Sequence, residues 1–192
     1  MDRASGYLTL ATGRMHMAAN LYLLCSGSPF LYYGEEIGMR GTRGAANTDA
    51  NRRLAMNWGD GDTVSDPIGT TYEKKKQTNG TAAEHLANET SLYYRYSRLI
   101  SLRNKYSEIA RGEYKSIAYD TAQFGGFLIS YQEKTTGLFH NTSDRELTID
   151  LKNSLTIYEH DFTKVCDYIG QGTAQLSGTT LTIEPQTSVI LQ

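Results

Sequence analysis

Glu35 and Glu36 stand side by side directly after the run Pro29-Phe30-Leu31-Tyr32-Tyr33-Gly34. A short continuous apolar run bounded by Pro and Gly reads as a strand buried on both faces. Pro fits at the first strand position, where no ladder donor is required. Charges just past the carboxyl end of a buried parallel strand sit where α/β proteins build their sites. Two carboxylates can work on one bond only if they flank it, and neighbours on a strand point to opposite faces. Glu35 and Glu36 are therefore not a reactive pair. One carboxylate is expected to bond inward, to a cation or a loop amide, and the other to serve structure outside.

Other reactive side chains are sparse. His16, His85, His140 and His160 show no ligand spacing, so no metal and no cofactor is expected. There is no G-x-G-x-x-G, P-loop or G-x-S-x-G. Cys25 and Cys166 make neither a disulfide framework nor a zinc site, and Cys25, in an apolar helical run, reads as a buried free thiol. Asn79, Asn88 and Asn141 open formal glycosylation sequons, which imply nothing without a secretory context. The 14 Tyr against 5 Phe and 1 Trp suit sugar recognition or simple amphipathic filling of β-structure. A net charge of -2 points to neither nucleic acid nor an anionic membrane surface. No apolar run reaches membrane-spanning length. Asp2 and Arg3 beside Met1 do not read as a signal peptide, and both extracellular and cytoplasmic locations stay open.

The elements that would position these residues follow from periodicity. Met15, Ala18, Ala19, Tyr22 and Leu23 recur at helical spacing, flanked by Met17, Leu21 and Leu24, and Gly27 stops the helix. Residues 38–62 and 63–87 read as long excursions with at most short helical turns, and Glu73–Lys76 as a solvated charge cluster. A second helix covers about Glu89–Lys105, with Leu92, Tyr96, Leu99, Ile100 and Arg103 on one face and Asn88 or Ser91 as caps. Beyond Gly112 the period changes to that of strands. Phe127–Tyr131, Gly137–His140, Leu147–Leu151, Thr180–Ile183 and Ser188–Leu191 are short β-type runs, and Ser177-Gly178 suits a hairpin turn. With 192 residues the chain can bury a real core, but it is shorter than the about 250 residues of a complete (β/α)8 barrel.

Several stretches together resemble the α-amylase superfamily, glycoside hydrolase family 13. Ser28–Met39 resembles its last barrel strand, T/S-P-x-x-Y-x-G-E/D-E-I-G-M. Arg53-Leu54-Ala55-Met56-Asn57-Trp58 is similar to the R-x-P-M-x-W that follows in the α-glucosidase and amylase branches, with Ala55 in place of Pro and Asp49 four residues ahead. Leu99–Arg103 resembles the L-I-x-L-R that ends the last barrel helix. Gly137–Leu151 resembles the central hairpin of the small β-domain called domain C, and Ile183–Leu191 its closing segment.

The resemblance implies an α+β chain: a helix–strand–helix remnant of a (β/α)8 barrel with long loops over residues 1–111, then an antiparallel sandwich, domain C, over 112–192. It implies a parent that hydrolyses α-glucosidic bonds of starch or maltodextrin with retention. Retention needs two carboxyl groups about 5 Å apart. The family's nucleophile and acid/base lie on middle barrel strands that nothing here matches. Met1–Leu8 aligns with the residues following the third catalytic Asp. All three catalytic residues are thus expected outside this chain, which alone should be inactive. Arg3, Glu35, Asp49, Arg53 and Trp58 are the implied substrate-side residues. Arg53 either forks onto sugar hydroxyls or fixes a loop with Asp49, and Trp58 is either a sugar platform or a packed loop anchor. The partner implied is an α-glucan oligosaccharide, not nucleic acid or membrane. The isolated chain should expose Met15–Leu24 and Phe30–Tyr33 and self-associate through these barrel elements. A free-standing carbohydrate-binding or structural β-module, and a catalytically dead relative, remain as alternatives.

Overall fold

The helical spacing around Met15 folds as expected. In the computed structural model, which describes residues 3–8, 12–41, 49–71, 79–153, 157 and 159–192, α1 spans Ala4–Leu8 and α2 spans Thr12–Leu23. The predicted charge cluster Glu73–Lys76 lies outside the described residues. Met15, Met17, Ala19, Leu23 and Leu24 are buried, so within Met15–Leu24 only Leu21 and Tyr22 are exposed. The chain forms two compact units, residues 1–18 with 30–98 and residues 19–29 with 99–192.

In the first unit the predicted strand Phe30–Tyr33 is neither a strand nor buried. Phe30 is 87% exposed, and Leu31, Tyr32 and Tyr33 are also exposed. A strand exists only as part of a ladder, and every sheet strand among the described residues belongs to residues 113–191. The segment passes through Gly34, at φ +83°, into a single 3₁₀ turn, Glu35–Ile37. A Cβ at Gly34 would stand 2.3 Å from the Met39 sulfur, so both the dihedral and the space require glycine. Ile37, Met39, Leu54 and Ala82 form a small core with Met56 against it. Among the described residues the excursions hold a 3₁₀ turn, Ala50–Arg52, and a short helix, α3 at Ala82–Leu86, started by a capping box between Thr81 and Glu84.

Helix α4 runs Leu92–Lys105. Leu92, Tyr96, Leu99 and Leu102 are buried, whereas Ile100 is exposed, a correction of one position on the predicted face. Within the second unit Arg103 serves the end of α2. Its guanidinium donates to the carbonyls of Leu23 (2.9 Å), Cys25 (2.7 Å) and Gly27. A cation on the last carbonyls completes a helix C-terminus. Cys25 lies past the helix end and is only half-buried; its thiol donates to the Tyr22 carbonyl, so the buried-thiol expectation fails.

After α5 (Ser107–Arg111) come eight strands: β1 (Glu113–Ser116), β2 (Phe124–Tyr131), β3 (Lys134–Asn141), β4 (Leu147–Asp150), β5 (Val165–Ile169), β6 (Ala174–Ser177), β7 (Thr180–Ile183) and β8 (Thr187–Leu191). They pair antiparallel in two sheets, ordered β1-β2-β3-β8-β5 and β4-β7-β6. Leu147, Ile149, Leu181 and Ile183 of the smaller sheet share one core with Phe124, Leu128, Phe139, Val189 and Leu191 of the larger. This is the expected sandwich. Ser177 and Thr180 pair across the two-residue hairpin turn at Gly178. Gly137–Leu151 is not a hairpin: β3 pairs with β2 and β8, and β4 pairs with β7. Asn141, fully buried at the end of β3, turns the chain from one sheet to the other. Its amide donates to the carbonyls of Arg145 and Ile183, and its oxygen accepts from the Ser143 N–H.

His140 is buried beside it and hydrogen-bonds through Nδ1 to the Ser188 hydroxyl at 2.7 Å, which also accepts from Asn20 at 2.9 Å. Burial lowers its pKa from 6.5 to about 4. The unfolded chain therefore binds a proton that the native state refuses between these values, and stability falls as the pH drops through that window. Denaturant unfolding from pH 7 to pH 4 should show a loss on the order of 3 kcal/mol from this residue. His140→Asn should flatten that part of the profile.

Candidate functional site

Arg3 is 3% exposed and organises the polar heart of the first unit. Its backbone N–H donates to the Gly41 carbonyl at 3.1 Å. Its guanidinium donates to the Tyr33 carbonyl and stands 3.9 Å from the Glu35 carboxylate. The same group lies over two rings, 4.5 Å from the centroid of Tyr32 and 4.8 Å from that of Tyr33. An arginine presents a planar fork and a stackable face together, which is why a buried cation is tolerated here. Gly41 is required by this approach, since a Cβ there would meet the Asn51 carbonyl at 2.6 Å and Arg3 Cδ at 3.3 Å. Arg3 Nε and Nη2 have no hydrogen-bond partner among the described residues.

Glu35 is turned toward this cation by the 3₁₀ turn, not by strand alternation. Burial raises its carboxyl above the usual range, the Arg3 charge pulls it back, and Glu36 pushes it up again. Glu35 is thus the inward carboxylate that the sequence led one to expect, and its partner is Arg3.

Asp49 and Arg53 form the second group. Asp49 precedes the 3₁₀ turn Ala50–Arg52, and its carboxylate accepts from Arg53 and lies 3.6 Å from Arg52. Between them Asn51 points inward, is 1% exposed, and exchanges two 2.9 Å hydrogen bonds with Thr71. A buried asparagine thus pins a turn whose charged side chains face water, with 67% of the Arg53 side chain exposed. The Tyr33 hydroxyl donates to the Leu54 carbonyl at 2.8 Å and ties this segment to the Arg3 group.

Trp58 is 57% exposed, so it is not a packed loop anchor. Its ring is carried by a fixed backbone: its N–H donates to Asp62, and its carbonyl accepts from Ala83. Asp62 also accepts from the Val64 N–H, and Asp66 from the Ala55 N–H. The arrangement unites Arg3 with Glu35 and Asp49 with Arg53, and leaves Trp58 presenting its indole face to solvent. Tyr32 and Tyr33, whose rings meet each other at 4.6 Å and both lie beside the Arg3 guanidinium, were not singled out as site residues. Their only signal was adjacency to Gly34. Among the described residues no cluster of three His, Cys, Asp or Glu side chains suits a metal ion.

The family model for the alpha amylase catalytic domain matches residues 3–112, and so takes in both charged groups and Trp58. The chain belongs to the alpha-amylase family. Alpha-amylase SusG of Bacteroides thetaiotaomicron is 32% identical over 155 residues, covering 79% of this chain and 21% of the relative. Cyclomaltodextrinase of Thermoanaerobacter pseudethanolicus is 26% identical over 189 residues, covering 97% of this chain and 26% of the relative. Among solved structures, Eubacterium rectale Amy13B superposes with a TM-score of 0.83 at 28% identity, over 100% of this chain and 37% of that one. The alpha-amylase from H.orenii, at 24% identity and a TM-score of 0.71, shares the fold over 99% of this chain. The chain therefore spans about a fifth to two fifths of the length of these alpha-amylase-family proteins. Its architecture is that of a partial barrel followed by a sheet domain.

Arg3→Met should remove the cation from Tyr33 and Glu35 and cost about 3 kcal/mol in denaturant unfolding. In the same variant the Glu35 carboxyl should titrate at a still higher pH, because the one charge that lowers it is gone. Carbon NMR of the labelled glutamates reads this directly. The exposed pair behaves oppositely: Asp49→Ala should shift stability by less than about 1 kcal/mol.

Proposed function

We propose that this chain is the C-terminal portion of a retaining α-glucan hydrolase of the α-amylase/α-glucosidase type, acting on starch or maltodextrins. Residues 1–111 complete the catalytic barrel and residues 112–192 form domain C. The observation that carries this reading is the family match over residues 3–112 in a chain that covers only 21% of SusG. The names of the relatives, an alpha-amylase and a cyclomaltodextrinase, support α-glucans as the substrate class.

The chain's own contribution is recognition, not bond cleavage. Retaining glycoside hydrolysis needs a carboxylate free to attack and a second, about 5 Å away, free to move a proton. In the first unit Glu35 is held by Arg3, Asp49 by Arg52 and Arg53, Glu84 by its capping box, and Asp62 and Asp66 by backbone amides, which leaves Glu36, Asp60 and Glu89 as the described carboxylates not engaged in this way. Groups committed in this way support catalytic acids supplied by other parts of the enzyme. Arg53, exposed and steadied by Asp49, is suited to fork onto sugar hydroxyls. Trp58 offers an apolar face on which a sugar ring can pack. Arg3 and Glu35 hold the turn that faces the substrate.

The isolated chain should release no reducing sugar from amylose, whereas an intact enzyme containing it should do so. In that enzyme Arg53→Ala and Trp58→Ala should each lower kcat/KM by about tenfold, the loss of roughly one hydrogen bond or one stacking contact, with unfolding midpoints unchanged. Glucose release by the isolated chain, abolished by substituting an Asp or Glu within it, would end the proposal. The exposed Phe30–Tyr33 segment supports self-association of the isolated chain, which sedimentation should reveal as a mass that rises with concentration and falls back on Phe30→Ser.

A further inference from the structure

Within the first unit, Asn79 joins the Glu35–Ile37 turn to α3. Its Nδ2 donates to the carbonyl of Gly38, the residue that ends the turn, at 2.7 Å. Its backbone carbonyl lies 2.7 Å from His85 Nε2 on α3. A carbonyl only accepts, so Nε2 carries the proton and donates it. The next residue is Gly80, at φ +108°. A Cβ there would stand 3.2 Å from Glu84 Oε2 and from His85 Cδ2, so the dihedral and the space both select glycine. Asn79-Gly80 is the one Asn-Gly step in the chain.

That pair has a chemistry of its own. The Asn79 side-chain amide is an electrophile within covalent reach of the next backbone nitrogen, and glycine puts no side chain in the way. Attack of the Gly80 nitrogen on Asn79 Cγ closes a cyclic imide. The N–Cγ bond forms, the Cγ–Nδ2 bond breaks, and Nδ2 leaves as ammonia with the proton that Gly80 gives up through water. Water then opens the ring on either side. Cleavage of the N–Cγ bond leaves aspartate. Cleavage between the nitrogen and the main-chain carbonyl leaves isoaspartate, with the backbone rerouted through Cβ and Cγ.

The difficult step is loss of the Gly80 amide proton. The negative charge that develops is shared with the Asn79 carbonyl oxygen, the atom on which His85 Nε2–H is already seated. A fixed donor at an oxygen that gains charge lowers the barrier to such a step. Water has access, because Asn79 and Gly80 are only half-buried and line a cavity of about 360 Å³ together with His85 and Met15. The consequence falls on the turn. A carboxylate in place of the Asn79 amide only accepts, and it would meet the Gly38 carbonyl with no proton between them. The turn so released is the one that carries Glu35 to Arg3.

We propose that Asn79-Gly80 is a self-modifying site, at which His85 assists imide formation and conversion to aspartate or isoaspartate releases the Glu35–Ile37 turn. The site does not depend on the hydrolase reading. Its test incubates the full chain at mildly alkaline pH, natively and in concentrated urea, and follows Asn79 by peptide mass and by enzymatic methylation of isoaspartate. Conversion should run at least as fast natively as in urea, where His85 is no longer placed. His85→Leu should slow the native rate about tenfold, the worth of one neutral hydrogen bond, and leave the urea rate unchanged. His85→Gln, which keeps an N–H near the position of Nε2, should restore most of the native rate. In the converted protein the amides of Gly38 and Met39, which close the turn on the Glu35 and Gly34 carbonyls, should exchange with deuterium faster. Should His85→Leu fail to fold by circular dichroism, the comparison of native and urea rates decides alone. Native conversion slower than in urea, a folded His85→Leu protein that converts as fast as the unsubstituted one, or unchanged exchange at Gly38 and Met39 overturns the proposal.

Discussion

A guanidinium removed from water needs compensation, and the first unit gives part of it to Arg3, through Nη1 and the tyrosine ring faces, while Nε and Nη2 find no partner among the described residues. The Tyr33 carbonyl, the Glu35 carboxylate and the faces of Tyr32 and Tyr33 converge on one group. The left-handed Gly34 and the 3₁₀ turn after it swing Glu35 inward, and Gly41 lets the backbone pass close by. The interaction fixes the order of dependence: the cation holds the turn, the turn meets Ile37, Met39 and Leu54, and Leu54 carries the segment that presents Arg53 and Trp58. Ion pairs of this kind give specificity of arrangement more readily than stability.

What could be read from the sequence follows from how completely each element is enclosed. Strands β2, β3, β7 and β8 lie inside sheets and showed as apolar or alternating runs. So did β4, an edge strand whose Leu147 and Ile149 face the core. Strands β1, β5 and β6 were missed. All three are edges, and sequences such as Glu113-Tyr114-Lys115-Ser116 bury little and carry the charge that protects an edge. Phe30–Tyr33 failed for the opposite reason. Its composition is that of a central strand, but composition cannot supply a neighbour to pair with. At the site, the Asp49–Arg53 spacing was legible because the contact is local. The pairing of Arg3 with Glu35 was foreseeable only as an inward carboxylate seeking some cation. The His85 cavity left no trace, since its wall joins Met15 to residues more than sixty positions away.

Membership in the alpha-amylase family and the geometry divide the labour in the same way. Buried polar groups (Arg3, Asn51, Asn141) are committed to backbone partners or to each other and specify shape. Exposed groups with fixed backbones, Arg53 and Trp58, face solvent instead. Loops that carry recognition in α/β proteins follow this pattern, in which a rigid interior holds a free surface.

The strand order of the larger sheet bears on biosynthesis. Strand β8 follows the other seven in sequence yet sits between β3 and β5. While the polypeptide is still leaving the ribosome, β5 has no place in that sheet, and Phe139 lacks the neighbouring Val189 that closes the ladder beside it. The sandwich can therefore close only after residues 187–191 have cleared the exit tunnel, and until then the open edge of β3 is an opportunity for chaperones or for misassembly.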